Sequence, residues 1–125
     1  MKLISLKKLR KRMINRSALI LKCKEPFVRW INEADPYEDE PGISMENANE
    51  DRTVYLITDD DGENVEEWVS INFKTLFENE LEGWYTDETL WPKNRDLKTF
   101  HEWFYVECHT VIIDTVDDTI QDDET

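Results

Sequence analysis

With 125 residues, the chain is long enough for one domain with a hydrophobic core and too short for two of ordinary size. Its 29 Asp and Glu outnumber its 15 Lys and Arg, which gives a formal net charge of −14 at pH 7. Because such a body repels phosphates and anionic lipids, we expect it to bind no nucleic acid directly and to favour a basic protein as partner. No transmembrane segment and no secretory signal is recognisable, so the sequence predicts a cytoplasmic location.

The basic residues are concentrated at the N-terminus. Residues 1–24 hold nine of the Lys and Arg and no acid, which leaves six bases against all 29 acids in the rest of the chain. Residues 1–12 are therefore interpreted as a basic arm. Three origins are open for it: a start-site artefact, an anchor for a membrane surface or nucleic acid, or a segment lying across the acidic body. Residues 13–114 are predicted to form a single domain, and residues 115–125 an acidic, disordered tail.

The N-terminal half of the domain predicts a strand, a short helix, a loop and a second strand. Residues 17–21 are a short apolar run typical of a buried strand. Glu25 and Pro26 can open a helix that Pro36 must stop. Residues 37–52 are rich in acids and indicate a long polar loop, whereas residues 53–58 are β-branched and aromatic and predict the second strand.

The next segment predicts the longest helix of the chain. Residues 59–63 supply acids, which stabilise a helix N-terminus, and Gly83 stands where a left-handed C-terminal cap would be. Apolar residues between them recur at spacings of three and four, as expected for one buried helix face. They are Val65, Trp68, Val69, Phe73, Leu76, Phe77 and Leu81.

The last part of the domain predicts a packed loop, a short helix and a third strand. Residues 84–94 carry too many large apolar groups for a solvated loop, a helix starts near residues 94–96, and residues 105–113 form the strand. The order β-α-β-α-α-β predicts the α+β class, with a small three-stranded sheet and helices mainly on one face. We expect the first two strands to run parallel through a right-handed crossover, and the pairing of the third stays open.

Two histidines and their acidic neighbours are candidates for chemistry. His101 and His109 lie within nine residues of each other, and strand alternation puts Glu107 on the same face as His109. Such groups could bind a metal or form an acid/base pair, or they could be surface and hydrogen-bonded residues without such a role. The spacing matches no metalloprotease pattern, and Cys108 should face away from His109, so we assign no catalytic residue and no metal ligand.

Two further absences limit the function. The chain has only Gly42, Gly62 and Gly83 as glycines and lacks both a phosphate-binding loop and a dinucleotide fingerprint, so we expect no cofactor. Its two cysteines, Cys23 and Cys108, are far apart in sequence and are predicted to be free thiols.

The segment from residue 83 to residue 95 has the most unusual composition. Trp84, Trp91 and Arg95 could form a recognition surface there, with the guanidinium pairing a carboxylate of a partner. A packed loop with Arg95 in an internal salt bridge is the alternative.

The chain resembles a family of small bacterial proteins without an assigned activity. The resemblance covers about residues 13–114 and is carried by residues 15–20 (NRSALI), residues 84–95, and residues 100–104 (FHEWF) together with His109 and Asp114. It implies a single compact domain and supplies no activity.

Charge and the lack of a catalytic signature favour a non-enzymatic binding or interaction protein with a cationic partner. The alternative hypothesis is a metal-dependent or acid/base enzyme that uses His101, His109 and nearby carboxylates.

Overall fold

The computed structural model of the chain describes residues 3–35 and 42–123, so the acids at residues 38–40 and the start of the predicted loop lie outside the described residues. The α+β class and the order β-α-β-α-α-β of the main elements are confirmed. Within the described ranges the strands are β1 (Arg16–Cys23), β2 (Val54–Thr58) and β3 (Phe104–His109). The helices are α1 (Leu6–Leu9), α2 (Glu25–Glu33), α3 (Met45–Ala48), α4 (Asp59–Glu63), α5 (Val65–Glu82) and α6 (Leu97–Trp103).

The sheet has the order β2-β1-β3, and β1 is antiparallel to both neighbours. The prediction of parallel first and second strands is therefore wrong. The chain after α2 turns back through α3, a short helix inside the predicted polar loop, and Asn49 returns it to the end of β1. The Asn49 side chain accepts from Cys23 N at 2.8 Å and donates to Cys23 O at 3.3 Å, so β2 starts at the end where β1 finishes.

These directions give the sheet two distinct ends. At the Arg16 end, β1 begins while β2 and β3 finish; at the Cys23 end, β1 finishes while β2 and β3 begin. Helix α5, with 18 residues and a length of about 27 Å, lies in the connection that returns the chain from the Arg16 end to the Cys23 end. β2 and β3 therefore run parallel to each other, and β1 lies between them.

One face of the sheet carries the core. Leu19, Leu21 and Cys23 of β1 and Phe104 of β3 point to this face and are at most 4% exposed. Helices α2, α5 and α6 cover this face with buried aromatic and aliphatic groups, among them Phe27, Phe77, Phe100 and Leu81, which are fully buried. The ring of Phe104 lies 4.8 Å from Phe27, 5.5 Å from Phe77 and 5.2 Å from Phe100, between centroids. These contacts join three helices to β3.

The opposite face of the sheet is open. Val54 and Leu56 of β2 and Tyr105 of β3 are half exposed or more on this face, and register places them beside Ile20, Ala18 and Lys22 of β1. The helices thus lie mainly on one face, as the sequence predicts.

Helix α5 follows the predicted stripe. Val69, Leu76, Phe77 and Leu81 are buried, and Val65, Trp68 and Phe73 pack against the core with part of their surface exposed. The predicted left-handed cap at Gly83 is wrong, because Gly83 has φ −61° and continues the right-handed conformation. The Gly83 N–H donates to Asn79 O, and the backbone N–H groups of Trp84 and Tyr85 donate to Leu81 O. These bonds satisfy carbonyls of the last turn without a positive φ.

Local hydrogen bonds position the remaining elements. Thr58 caps α4 by accepting from Asp61 N, and Asp96 caps α6 by accepting from Thr99 N. Gly62 allows α4 to approach the sheet closely, since a Cβ there would lie 2.0 Å from Ser17 Oγ. The loop at residues 84–94 packs back on the domain as predicted, because Tyr85 Oη donates to Ile31 O at 2.6 Å.

In the described ranges, no helix combines the length and hydrophobicity that a bilayer span requires.

The aromatic core should carry much of the stability. Phe77→Ala removes a fully buried ring that contacts Phe100, Trp103 and Phe104, so it should lower the free energy of unfolding by about 3–5 kcal/mol, measured by urea denaturation. The matched control is Ile71→Ala on the same helix, where 72% exposure predicts a change within about 0.5 kcal/mol. Equal effects of the two substitutions would contradict the placement of α5.

Candidate functional site

Glu107 and His109 share the open face of β3, as strand alternation predicts. His109 Nε2 lies 2.8 Å from Glu107 Oε2, and this hydrogen bond is the main reason that the pKa of Glu107 is lowered. Cys108 points to the covered face. Both members of the pair are exposed, so the structure provides a hydrogen-bonded pair on the surface here and not an enclosed acid/base site.

His101 lies far from this pair. It is exposed on α6, which precedes β3 at the Cys23 end, whereas His109 ends β3 at the Arg16 end. The strand from Phe104 to His109 alone spans about 17 Å at 3.3 Å per residue. The structure therefore does not bring together the two imidazoles on which the enzyme hypothesis depends.

The candidate recognition loop brings two of its three residues together, because Arg95 Cζ lies 5.8 Å from the centroid of the Trp91 ring. Trp91 is 8% exposed and donates from Nε1 to Tyr85 O at 2.8 Å, whereas Trp84 is 40% exposed. Arg95 donates from Nη1 to Pro92 O at 2.7 Å, and its Nη2 lies 3.9 Å from Glu78 Oε1. Trp91 and Arg95 thus make the internal contacts of a packed loop, and Trp84 is the member of the three with the largest free surface.

Two acidic segments follow strands that end at the Arg16 end of the sheet. Helix α4 follows β2 there and presents Asp59, Asp60 and Glu63 as exposed side chains. The tail follows β3 at the same end, and Gly62 of α4 lies near Thr110, the first residue after β3. We call the carboxylates of α4 and of residues 114–118 the acidic end.

The basic arm contacts this acidic end. Lys8 Nζ forms an ion pair with Asp117, and Arg12 Nη1 lies 3.0 Å from Asp117 Oδ1. Arg12 Nε also donates to Asp114 O at 3.0 Å. Antiparallel backbone bonds add to these contacts: Ile14 N donates to Ile112 O, and Asp114 N donates to Arg12 O, both at 2.9 Å. The arm therefore lies against the acidic tail in this structure, and its origin stays a prediction.

A polar cluster at the edge of the core combines Tyr55, Asn79 and Glu80. Tyr55 Oη donates to Glu80 Oε2 at 2.5 Å and accepts from Asn79 Nδ2 at 2.8 Å, so β2 is tied to α5. Burial raises the pKa of Glu80 despite the opposing hydrogen bond, and burial together with Glu80 raises the pKa of Tyr55. We call these three residues the Glu80 cluster.

A cavity of about 180 Å³ adjoins the Glu80 cluster, lined among others by Cys23, Arg52, Glu80 and Trp84. Burial raises the pKa of Cys23 to about 11, so at neutral pH this sulfur is a thiol and a poor nucleophile. Arg52 Nη1 is buried without a hydrogen-bond partner. The side chains that line this cavity include no activated nucleophile.

The two cysteines are free, in line with the sequence. Both point to the covered face of adjacent strands, yet Cys23 pairs with Phe104 and Cys108 with Leu19. Four residues of strand, about 13 Å, separate these positions, which is too far for a disulfide.

Sequence reasoning missed the Glu80 cluster. The sequence predicts Tyr55 in a strand and Glu80 on the polar side of a helix. Because 25 residues separate them, no local pattern indicates that they meet. A signal was present in retrospect, because Tyr at an inward strand position needs a hydrogen-bond partner for its hydroxyl.

Among residues 3–35 and 42–123, no group of three or more His, Cys, Asp or Glu is arranged to hold a metal ion. Comparison with family models, with curated proteins and with solved structures finds no match to this chain. The resemblance to a bacterial family therefore stays a prediction.

The buried carboxyl of Glu80 predicts a pH dependence. Because its pKa is raised in the folded state, folding favours the protonated form, and the free energy of unfolding should fall as pH rises above about 4.3, the ordinary value for Glu. Glu80→Gln keeps an acceptor for Tyr55 and removes the titration. Its urea midpoint relative to the parent should therefore rise between about pH 4 and pH 7.

The matched control is Glu82→Gln, an exposed position two residues along the same helix. Its midpoint relative to the parent should change little over the same pH range beyond the effect of one surface charge. The burial argument fails if Glu80→Gln and Glu82→Gln show the same profile.

Proposed function

We propose that this protein is a non-enzymatic interaction protein in the cytoplasm that binds a basic protein partner through its acidic end. The observation that carries the proposal is that α4 and the segment leading to residues 114–118 both leave the sheet at its Arg16 end, and that Asp117 pairs with two cationic side chains of the arm. Clustered carboxylates attract cationic surfaces and accelerate their encounter.

The remainder of the site geometry supports binding over catalysis. Glu107 and His109 form an exposed hydrogen-bonded pair, His101 lies at the other end of β3, and Cys23 is a protonated thiol at neutral pH. None of these arrangements supplies a nucleophile with an adjacent base inside a cleft, which is what acyl or phosphoryl chemistry would use.

The test uses a fluorescein-labelled ten-lysine peptide and fluorescence anisotropy with the full chain. Asp59→Asn, Asp60→Asn and Glu63→Gln are combined, because all three side chains are exposed and Asp61 is kept to accept from Thr58 Oγ1. We expect this triple variant to bind the peptide about fivefold more weakly at about 50 mM salt, and the difference to shrink at higher salt as screening increases.

The matched control removes the same charge elsewhere. Glu46→Gln, Glu50→Gln and Glu88→Gln are exposed positions outside α4 and the tail, and both triple variants have a net charge of −11 in place of −14. The control should bind within about twofold of the parent. Equal weakening of both variants would mean that net charge, and not the acidic end, determines binding, and this result would overturn the proposal.

A further inference from the structure

The basic arm makes the kind of contacts that a basic partner would make. Its helix α1 buries no side chain, and Leu3 and Leu6 are 97% and 62% exposed. The arm is held instead by the ion pairs of Lys8 and Arg12 with Asp117, by Arg12 Nε on Asp114 O, and by backbone bonds around the Met13–Ile113 bridge. No contact in this set depends on a shaped apolar pocket.

We infer that the acidic end is a docking surface for a short basic segment of a partner protein, and that residues 3–12 occupy this surface in the free chain. This inference rests on the proposed function and adds to it the form of the partner and a competition. The partner's segment carries two cations four residues apart, like Lys8 and Arg12, and a backbone carbonyl at the second cation that can accept from Asp114 N, as Arg12 O does.

The arm is suited to be displaced. Its two ion pairs are partly exposed, with 44% and 25% side-chain exposure at Lys8 and Arg12, and exposed ion pairs are weak and screened by salt. Its advantage over an external segment is the high effective concentration that covalent attachment gives it. A partner segment must therefore bind the acidic end more strongly than the arm does, which sets a threshold against weakly basic proteins.

The experiment uses a synthetic peptide with the sequence of residues 3–12, LISLKKLRKR, as the probe, and the full chain as receptor. Lys8→Gln with Arg12→Gln releases the arm of the receptor, whereas Lys7→Gln with Lys11→Gln removes the same charge from arm residues for which the structure shows no ion pair. We expect the first receptor to bind the labelled peptide about fivefold more tightly than the second. Titration should shift the amide signals of Asp117 and Asp118 and leave those of Glu46 and Glu50 unchanged.

Each other outcome overturns the inference. Equal affinity of the two receptors would show that the arm does not compete at this surface, and shifts outside residues 110–118 and α4 would place the docking surface elsewhere. If the arm peptide binds no receptor at about 50 mM salt while the ten-lysine peptide still discriminates the α4 variant, the inference fails and the proposed function stands. Failure of the ten-lysine experiment removes the proposed function itself.

Discussion

The structure depends on β1 being hydrogen-bonded on both sides and antiparallel to both neighbours. Because β2 and β3 both run against β1, each ends where β1 begins. The segments before β1 and after β2 and β3 therefore meet at one end of the sheet. These segments are the basic arm, the acidic helix α4 and the acidic tail, so the charge distribution of the molecule follows from strand direction.

Side-chain contacts on the covered face of the sheet fix the register of β3 against β1. Phe104 opens β3 beside Cys23, and its ring contacts Phe27 of α2, Phe77 of α5 and Phe100 of α6. A shift of β3 by one residue would turn Phe104 to the open face and lose these contacts. These aromatic contacts thus fix the register of β3, and the same register puts Glu107 and His109 together on the other face.

Local patterns in the sequence were sufficient for the elements and insufficient for their connections. The spacing of Val69, Leu76 and Leu81 predicts the buried face of α5, and Asp96 predicts the start of α6, because both depend on neighbours within one turn. A short apolar strand has the same pattern in parallel and antiparallel pairs, so the sequence predicts the wrong direction for β2 relative to β1. The hydrogen bond that holds Asn49 beside the end of β1 joins it to Cys23, across 26 residues. The Glu80 cluster was missed because it too depends on a contact between residues that are far apart in the sequence, Tyr55 and Glu80. Charge segregation along the sequence indicated a basic arm, but only the fold brings Arg12 to Asp117.

The position of the acids matters more for recognition than their number. At physiological ionic strength charges interact over about 8 Å, so a cation docked beside Asp117 is affected mainly by carboxylates of the acidic end. Glu82 lies at the far end of α5, a helix about 27 Å long, and contributes little there. The remaining acids keep the body hydrated and repel anionic competitors. An ordinary acidic protein attracts any basic surface weakly, whereas this sheet places its acidic tail where Asp114 N also donates a backbone hydrogen bond to the arm. A basic segment that can use both kinds of contact is thereby distinguished from a diffuse positive charge.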